Sequence, residues 1–411
     1  KRKKMNNSTN ALAALALLFI SQFGFGQSQT ELQPISAQQA VDKAVKNYPA
    51  LKVAALEVEQ QEKLKKTAYD FGNTQLYRQL EEAGNGIEGV RTNFAIQQQQ
   101  IDVFAIPAKL KVQRKQIAAA RAKQDLTEIQ IKRDVQSDWA RVVAARKQLS
   151  VFSQLDSAFA KLMNAAEIQR ETEDISELRF LATQNRRHQI ALQKEQSYRD
   201  YTIALQKLNS WFVEDTLYTA SIDELDNIAS PIVDVNDSVN THSELDILQR
   251  QIEVADAQLG QAKSQFLPKL QGLYGVQEIN GQDGFQIYQF GVQIPLFFFS
   301  ELGTTQSAGL QKQIAQENYN AQKLKFYARY SQTKESYLKW LNSWKYYKTK
   351  ALPLAQKQRK GALIAFEQGA IDYVAFLQNI NDAIQLEISA WSAYEQMLIN
   401  KFSLEYYTNN K

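Results

Sequence analysis

From Phe285 to Leu296 apolar and polar residues take turns. Tyr288, Phe290, Val292, Ile294 and Leu296 fall on one side of an extended strand, and Gln289, Gly291 and Gln293 on the other. Related alternation runs through residues 73–80, 91–103 and 268–279. Polar, glycine-bearing loops at Glu81–Gly89 and Asn280–Gly284 join these stretches into two hairpins. The rest of the chain has the helical period. Residues 36–72 read as helix capped by Ser36 and broken at Pro49. After Pro107 a stretch rich in Ala, Lys, Gln, Arg and Glu continues to about Trp211, and a last helical stretch runs from about Leu302 to the C-terminus. The apolar positions of the stretch after Pro107, Ile117, Ala120, Leu126, Ile129, Ile131, Val135, Trp139, Val142 and Val143, form a narrow seam suited to helix neighbours rather than to a thick core. Roughly sixty residues at ~1.5 Å each make a rod of roughly 90 Å.

The pattern occurs twice. At one constant offset Phe94 falls on Phe290, Ile96 on Val292, Gln97 on Gln293, Phe180 on Phe376 and Asn185 on Asn381. Before the hairpins the register differs by two, with Leu51 on Leu245 and Glu59 on Glu253. This divides the chain into a first structural repeat over residues 30–215, a polar, turn-like linker over 216–240 and a second repeat over 241–411. Residues 1–29 stand apart: a basic start, the apolar run Ala11–Ile20 and a small, polar end have the layout of a secretory signal, or of a linker from an upstream domain.

Composition narrows the chemistry. The 411 residues carry 48 basic and 44 acidic side chains, a net charge of +4, which gives no support to nucleic-acid binding. There is no cysteine, so disulfides, thiolate metal sites and cysteine nucleophiles are excluded. The two histidines, His188 and His242, lie far apart and read as surface helix positions. No catalytic, cofactor or metal residues are expected, and a hydrolase lacks any nucleophile–base constellation.

The hairpins weigh against a soluble coiled-coil or adhesion rod, the alternative that periodicity alone leaves open. Strands of about ten residues with one apolar and one polar face fit the wall of a membrane barrel. Four strands cannot close one, and an open edge is not tolerated in lipid, so several chains must share it. Gln97, Gln289 and Gln293 are then expected to face a watery lumen.

Two tandem copies of helix, hairpin and long helical pair resemble the TolC-like outer membrane efflux proteins, from about Ile35 to Tyr407. The segments that carry the resemblance are "ISAQQAVDKAVKNYPAL", "AKSQFLPKLQG", "GVQIPLFF" and "FEQGAIDYVAFLQ". "LPLAQKQRKGALIAFEQGAIDYVAFLQNINDAIQ" and "AEIQRETEDISELRFL" are similar to outer membrane components of heavy-metal resistance-nodulation-division systems, in some of which this module extends the pump polypeptide. The resemblance implies a mostly α fold with β: a homotrimer whose twelve strands form one outer membrane barrel continuous with a helical tunnel across the periplasm. It implies outer membrane lipid, a periplasmic adaptor and an inner-membrane pump as partners, no cofactor, and a passive conduit with heavy-metal cations as cargo. Phe297, Phe298 and Phe299 become interfacial anchors where strand passes into helix. The turns Glu173, Asp174, Ile175, Ser176 and Gly369, Ala370, Ile371, Asp372 become the adaptor-docking tip. Because Glu173 stands where Gly369 stands in the second repeat, the two turns are expected to differ in shape. Where the family places acidic residues near the aperture this chain has Ala375 and Gln378, with Asp382 further on. Asp174 and Asp372 are the substitute candidates.

Overall fold

The computed structural model describes residues 32–82, 90–221 and 242–408. The signal-like segment at 1–29, most of the Glu81–Gly89 loop and most of the 216–240 linker lie outside the described residues.

Strand β1 (Gln33–Ile35) leads into α1 (Ala37–Asn47). Ser36 closes a capping box: its hydroxyl accepts from the Gln39 N–H at 3.1 Å, and the Gln39 side chain accepts from the Ser36 N–H at 3.0 Å. Pro49 opens α2 (Pro49–Leu64), where its missing N–H costs nothing. The expected helix over 36–72 stops at Leu64. A 3₁₀ turn at Lys65–Ala68 and Gly72 at φ +73° turn the chain into β2 (Thr74–Glu82). Then come β3 (Val90–Ile101), α3 (Ile106–Glu171), α4 (Glu177–Asn209) and β4 (Tyr218–Ala220). The same order returns as α5 (Ser243–Ser264), β5 (Lys269–Ile279), β6 (Gln282–Gln293), α6 (Phe299–Tyr346), a π turn at Tyr347–Ala351, α7 (Leu352–Glu367) and α8 (Tyr373–Thr408). The expected five-residue loop at 280–284 is a tight turn. Asn280 and Gly281, at φ +50° and +78°, take the left-handed conformations that a two-residue hairpin demands, and β6 begins at Gln282.

Strands β2, β3, β5 and β6 form one antiparallel sheet in that order, with β2 and β6 as its free edges. The helices keep the same order: α2 packs on α3, α3 on α5 and α5 on α6. Each strand of the sheet thus continues into one helix of a four-helix layer. Beyond the middle of α3 the layer changes partners, and α3 lies between α4 and α8.

The main core sits where the two layers meet. Val135, Trp139, Val142 and Val143 of α3 are fully buried against Tyr394, Met397 and Leu398 of α8 and Trp344 of α6. The linker is not wholly irregular, as its polar composition suggested. Its Tyr218–Ala220 segment pairs in parallel with β1. The Trp139 indole N–H donates to the Ile35 carbonyl at 2.9 Å, and the Ser221 N–H donates to the same oxygen at 2.9 Å. The Asn209 side chain accepts from the Tyr218 N–H at 2.7 Å and donates to the Tyr218 carbonyl at 2.8 Å.

Candidate functional site

The sheet has two unlike faces. Register places Leu76, Ile96, Tyr274 and Tyr288 side by side on one face, with Phe94, Val276, Phe290 and Val292 on the same side. All are exposed, Phe290 to 86% and Tyr288 to 62%. A row of large apolar side chains on the open face of a sheet is the arrangement that only a membrane or a partner can cover. The other face is crowded: Ala95 is 3% exposed, and a Cβ on Gly275 would stand 3.0 Å from the Ala95 Cβ. A Cβ on Gly291 would overlap the Gln271 side chain, so glycine there makes room for an amide. Gln97, Leu273 and Gln289 lie in one row on this face, and Gln293 lies four residues further along β6 on the same side. The three glutamines expected to act together are therefore brought to one face, opposite the apolar one. Gln293 donates to Gln271 at 3.5 Å.

The far ends of the long helices are two reversals. At the first, the Glu173 N–H donates to Arg170 O at 3.1 Å and the Asp174 N–H to Gln169 O at 2.8 Å. At the second, the Gly369 N–H donates to Phe366 O at 3.0 Å and the Ala370 N–H to Ala365 O at 2.7 Å. Both are Schellman caps with a left-handed residue, Glu173 at φ +60° and Gly369 at φ +70°. The expectation that the two turns differ in shape is therefore overturned. A non-glycine residue can adopt αL at a cost of about 1–2 kcal/mol, and the surrounding bonds hold it there. Ser176 then caps α4, accepting from the Arg179 N–H at 3.3 Å, and Asp372 caps α8 in the same way, accepting from the Ala375 N–H at 2.8 Å. Asp174 accepts from the Thr172 hydroxyl at 2.7 Å. Ile175 packs with Met163, Ala166 and Phe180, and Ile371 packs with the cluster around Phe159 and Phe376. The two isoleucines pin the turns, while Glu173, Asp174, Gly369, Ala370 and Asp372 stay exposed.

No family model matches the sequence, and no curated protein matches it. Solved structures do. The chain superposes on CusC, described for the conformational changes accompanying folding and transmembrane channel formation, with a TM-score of 0.76 at 14% identity, covering 92% of this chain and 94% of that one. It superposes on the Campylobacter jejuni CmeC outer membrane channel with a TM-score of 0.77 at 10% identity, covering 90% and 85%. For the open state of the Neisseria gonorrhoeae MtrE outer membrane channel the values are 0.71, 13%, 90% and 88%.

The chain has the outer membrane factor fold.

Several features of this version of the outer membrane factor fold were not legible beforehand. His242 is not a surface position. It is fully buried among Phe326, Tyr406 and Tyr407, and it caps α5. Its Nδ1 accepts from the Glu244 N–H at 3.1 Å and its Nε2 faces the Tyr406 carbonyl at 2.7 Å, which fixes the proton on Nε2. Burial pushes its pKa below the ordinary value. His188, by contrast, is exposed on α4. Glu387 of α8 is buried with its carboxylate 3.3 Å from Arg359, and burial raises its pKa. At the tip end Ile168, Leu178 and Val374 are large, apolar and exposed. At the strand-to-helix junction Phe297 and Phe299 are 81% and 85% exposed. Among the described residues no helix is long and apolar enough to cross a membrane, and no group of three or more His, Asp or Glu could hold a metal ion.

Proposed function

We propose that this chain is the outer membrane exit duct of a tripartite efflux system. It would work as a homotrimer whose three open sheets close into one twelve-stranded barrel in the outer membrane, with the helices as a tunnel across the periplasm. The observation that carries the reading is the open four-stranded sheet with two free edges and an apolar face exposed throughout, continued stave by stave into a helical layer. Free edges and exposed apolar surface are both unfavourable in an isolated chain, and closure of the ring in lipid removes both. The duct performs no chemistry: the pump supplies the driving force, and the periplasmic adaptor docks on the exposed turns at Glu173–Ser176 and Gly369–Asp372. The sequence resemblance extends the cargo to heavy-metal cations and leaves open a link to a pump polypeptide upstream. The duct would be built from the two structural repeats at 30–215 and 241–411.

The test is chemical cross-linking of the membrane-extracted protein in mild detergent, alongside solute-susceptibility measurements in a strain lacking the gene. A three-chain species and loss of efflux are expected. A monomer that stays soluble without detergent would refute the architecture and revive the coiled-coil rod.

A further inference from the structure

Resting on the duct reading, we infer that the upper wall of the conduit is electrically neutral and hydrogen-bonding, so that it passes cations and anions alike and takes no part in selecting cargo by charge.

The first observation is a groove of about 620 Å³ lined by residues of α2, α3, α5 and α6 together. These helices stand in a row, so a space touched by both the first and the fourth can lie only on the side toward which the row curves. That concave side is the tunnel side of the proposed ring. Its lining is dominated by amides, Gln60, Gln116, Gln251, Gln258, Gln311 and Asn318, with alanines between them. Its two charged residues, Glu57 and Lys123, neutralise one another at 2.7 Å.

The second observation is the helical phase of the remaining charges. At about 100° per residue, Lys111 and Arg121 of α3 lie well off the arc that carries Gln116, Ala119 and Ala120, and Lys115 lies at its edge, about 40° from Ala119. They pair across the layer with Asp256 at 3.4 Å, Glu253 at 2.9 Å and Glu62 at 2.7 Å. At the level of the groove and above it, the charges in phase with the concave side are paired, Lys123 with Glu57 at 2.7 Å and Lys109 with Asp102 at 3.1 Å, and the others lie off that side.

The third observation comes from the sheet. Its crowded face carries Gln75, Gln79, Asn93, Gln97, Gln277 and Gln289 in paired rows. Between the rows of Arg91 and Lys269 no residue on that face is charged at neutral pH. Arg78 and Glu278 lie on the opposite, apolar face.

Pores discriminate ions by rings of fixed charge that concentrate one sign and repel the other. A primary amide offers both a carbonyl acceptor and N–H donors. It therefore solvates either sign, and polar uncharged solutes equally well. Selection by charge then falls to the tip or to the proteins that load the duct.

The test uses the purified full chain in planar lipid bilayers under a potassium chloride gradient. The expected cation-to-anion permeability ratio is within about threefold of unity, because no uncompensated ring of charge lines the upper wall. Gln97→Glu combined with Gln289→Glu should raise the preference for potassium, and no change would overturn the inference by showing that passing ions do not sense this face. A wild-type ratio above about threefold that persists in Glu173→Gln/Asp174→Asn would overturn it as well. A high ratio that collapses in that tip variant would support it, because the charge would then lie at the aperture. Absence of any conductance would overturn the duct reading itself.

Discussion

Glu173 and Gly369 occupy the same position in two caps of the same shape, and this makes opposite predictions for two substitutions. An added Cβ at Gly369 meets nothing within 4 Å, so a clash with neighbours contributes nothing. What remains is the backbone at φ +70°, which disfavours an L side chain by about 1–2 kcal/mol, and a β-branched one by more. Gly369→Ala should therefore weaken the second cap by about 1 kcal/mol and Gly369→Val by about 2 kcal/mol or more. Glu173→Gly removes the same penalty at φ +60° and should stabilise the first cap by a few tenths to about 1 kcal/mol, reduced by glycine's own chain entropy. The readout is amide hydrogen exchange at the two cap bonds, Asp174 N–H to Gln169 O and Ala370 N–H to Ala365 O. At 1.4 kcal/mol per tenfold, exchange of the Ala370 amide should speed up about fivefold in Gly369→Ala and about thirtyfold or more in Gly369→Val. That of Asp174 should slow by up to about fivefold in Glu173→Gly. Under the proposed function, Gly369→Val still forms trimers but loses adaptor capture and efflux. Unchanged Ala370 protection in Gly369→Val, or faster Asp174 exchange in Glu173→Gly, would refute the argument from backbone conformation. Normal efflux with normal adaptor cross-linking would show that this glycine only ends a helix.

Phe290→Arg places a charge on the apolar face and should cost about 2–4 kcal/mol of membrane assembly, whereas Gln289→Arg on the other face should cost far less; heat-resistant oligomer on gels distinguishes them. Trp139→Phe should cost about 1 kcal/mol, because the Ile35 carbonyl keeps its bond from Ser221, and Trp139→Ala about 3–5 kcal/mol; thermal melting of the purified protein reads both. His242 is held neutral with a lowered pKa, so the unfolded chain takes up a proton first as pH falls below about 6.5. Its stabilising contribution is thus present above that pH and lost below it by up to about 1.4 kcal/mol per pH unit, and His242→Asn should flatten this slope while lowering stability overall. A tag inserted at the Asn280–Gly281 turn should be labelled on intact cells, and labelling only after permeabilisation would reverse the proposed topology.

The long elements were legible because they carry period. Tyr288, Phe290 and Val292 alternate with glutamine and glycine over enough residues to separate strand from helix, and the spacing of Val135, Trp139, Val142 and Val143 marks the buried face of α3. The short β1–β4 pair was not, because three residues such as Gln33–Ile35 hold no period. Their pairing is decided by remote groups, Trp139 and Asn209, whose roles appear only after folding. The equality of the two tip turns was hidden by side-chain identity. Glutamate does not advertise a left-handed backbone as glycine does, and the hydrogen bonds rather than the residue impose it. His242 was misread as a surface helix position because a lone polar residue in a polar stretch carries no local sign of burial. What buries it is Phe326, Tyr406 and Tyr407, distant in sequence. The amide lining was half legible: its strand portion follows from alternation, but its helical portion needs the lateral order of four helices.

That shared lateral order has a geometric consequence at the junction. Strands pack at about 4.8 Å and helices at about 8–10 Å, so four staves that measure about 19 Å across as sheet measure about 35 Å across as helix. The staves must diverge over a few residues, by less where the strands tilt from the axis they share with the helices. Each wedge that opens between diverging staves has to be filled or closed. The chain puts Pro107, Pro268 and Pro295 at three of the passages and the 3₁₀ turn with Gly72 at the fourth. It crowds the same short belt with Tyr69, Phe71, Phe104, Phe266 and Phe297–Phe299, and the rings of Phe266 and Phe298 meet at 6.2 Å. Under the proposed function these rings, most of them exposed in the single chain, have a second duty beyond meeting lipid: they caulk a joint whose two sides differ in width.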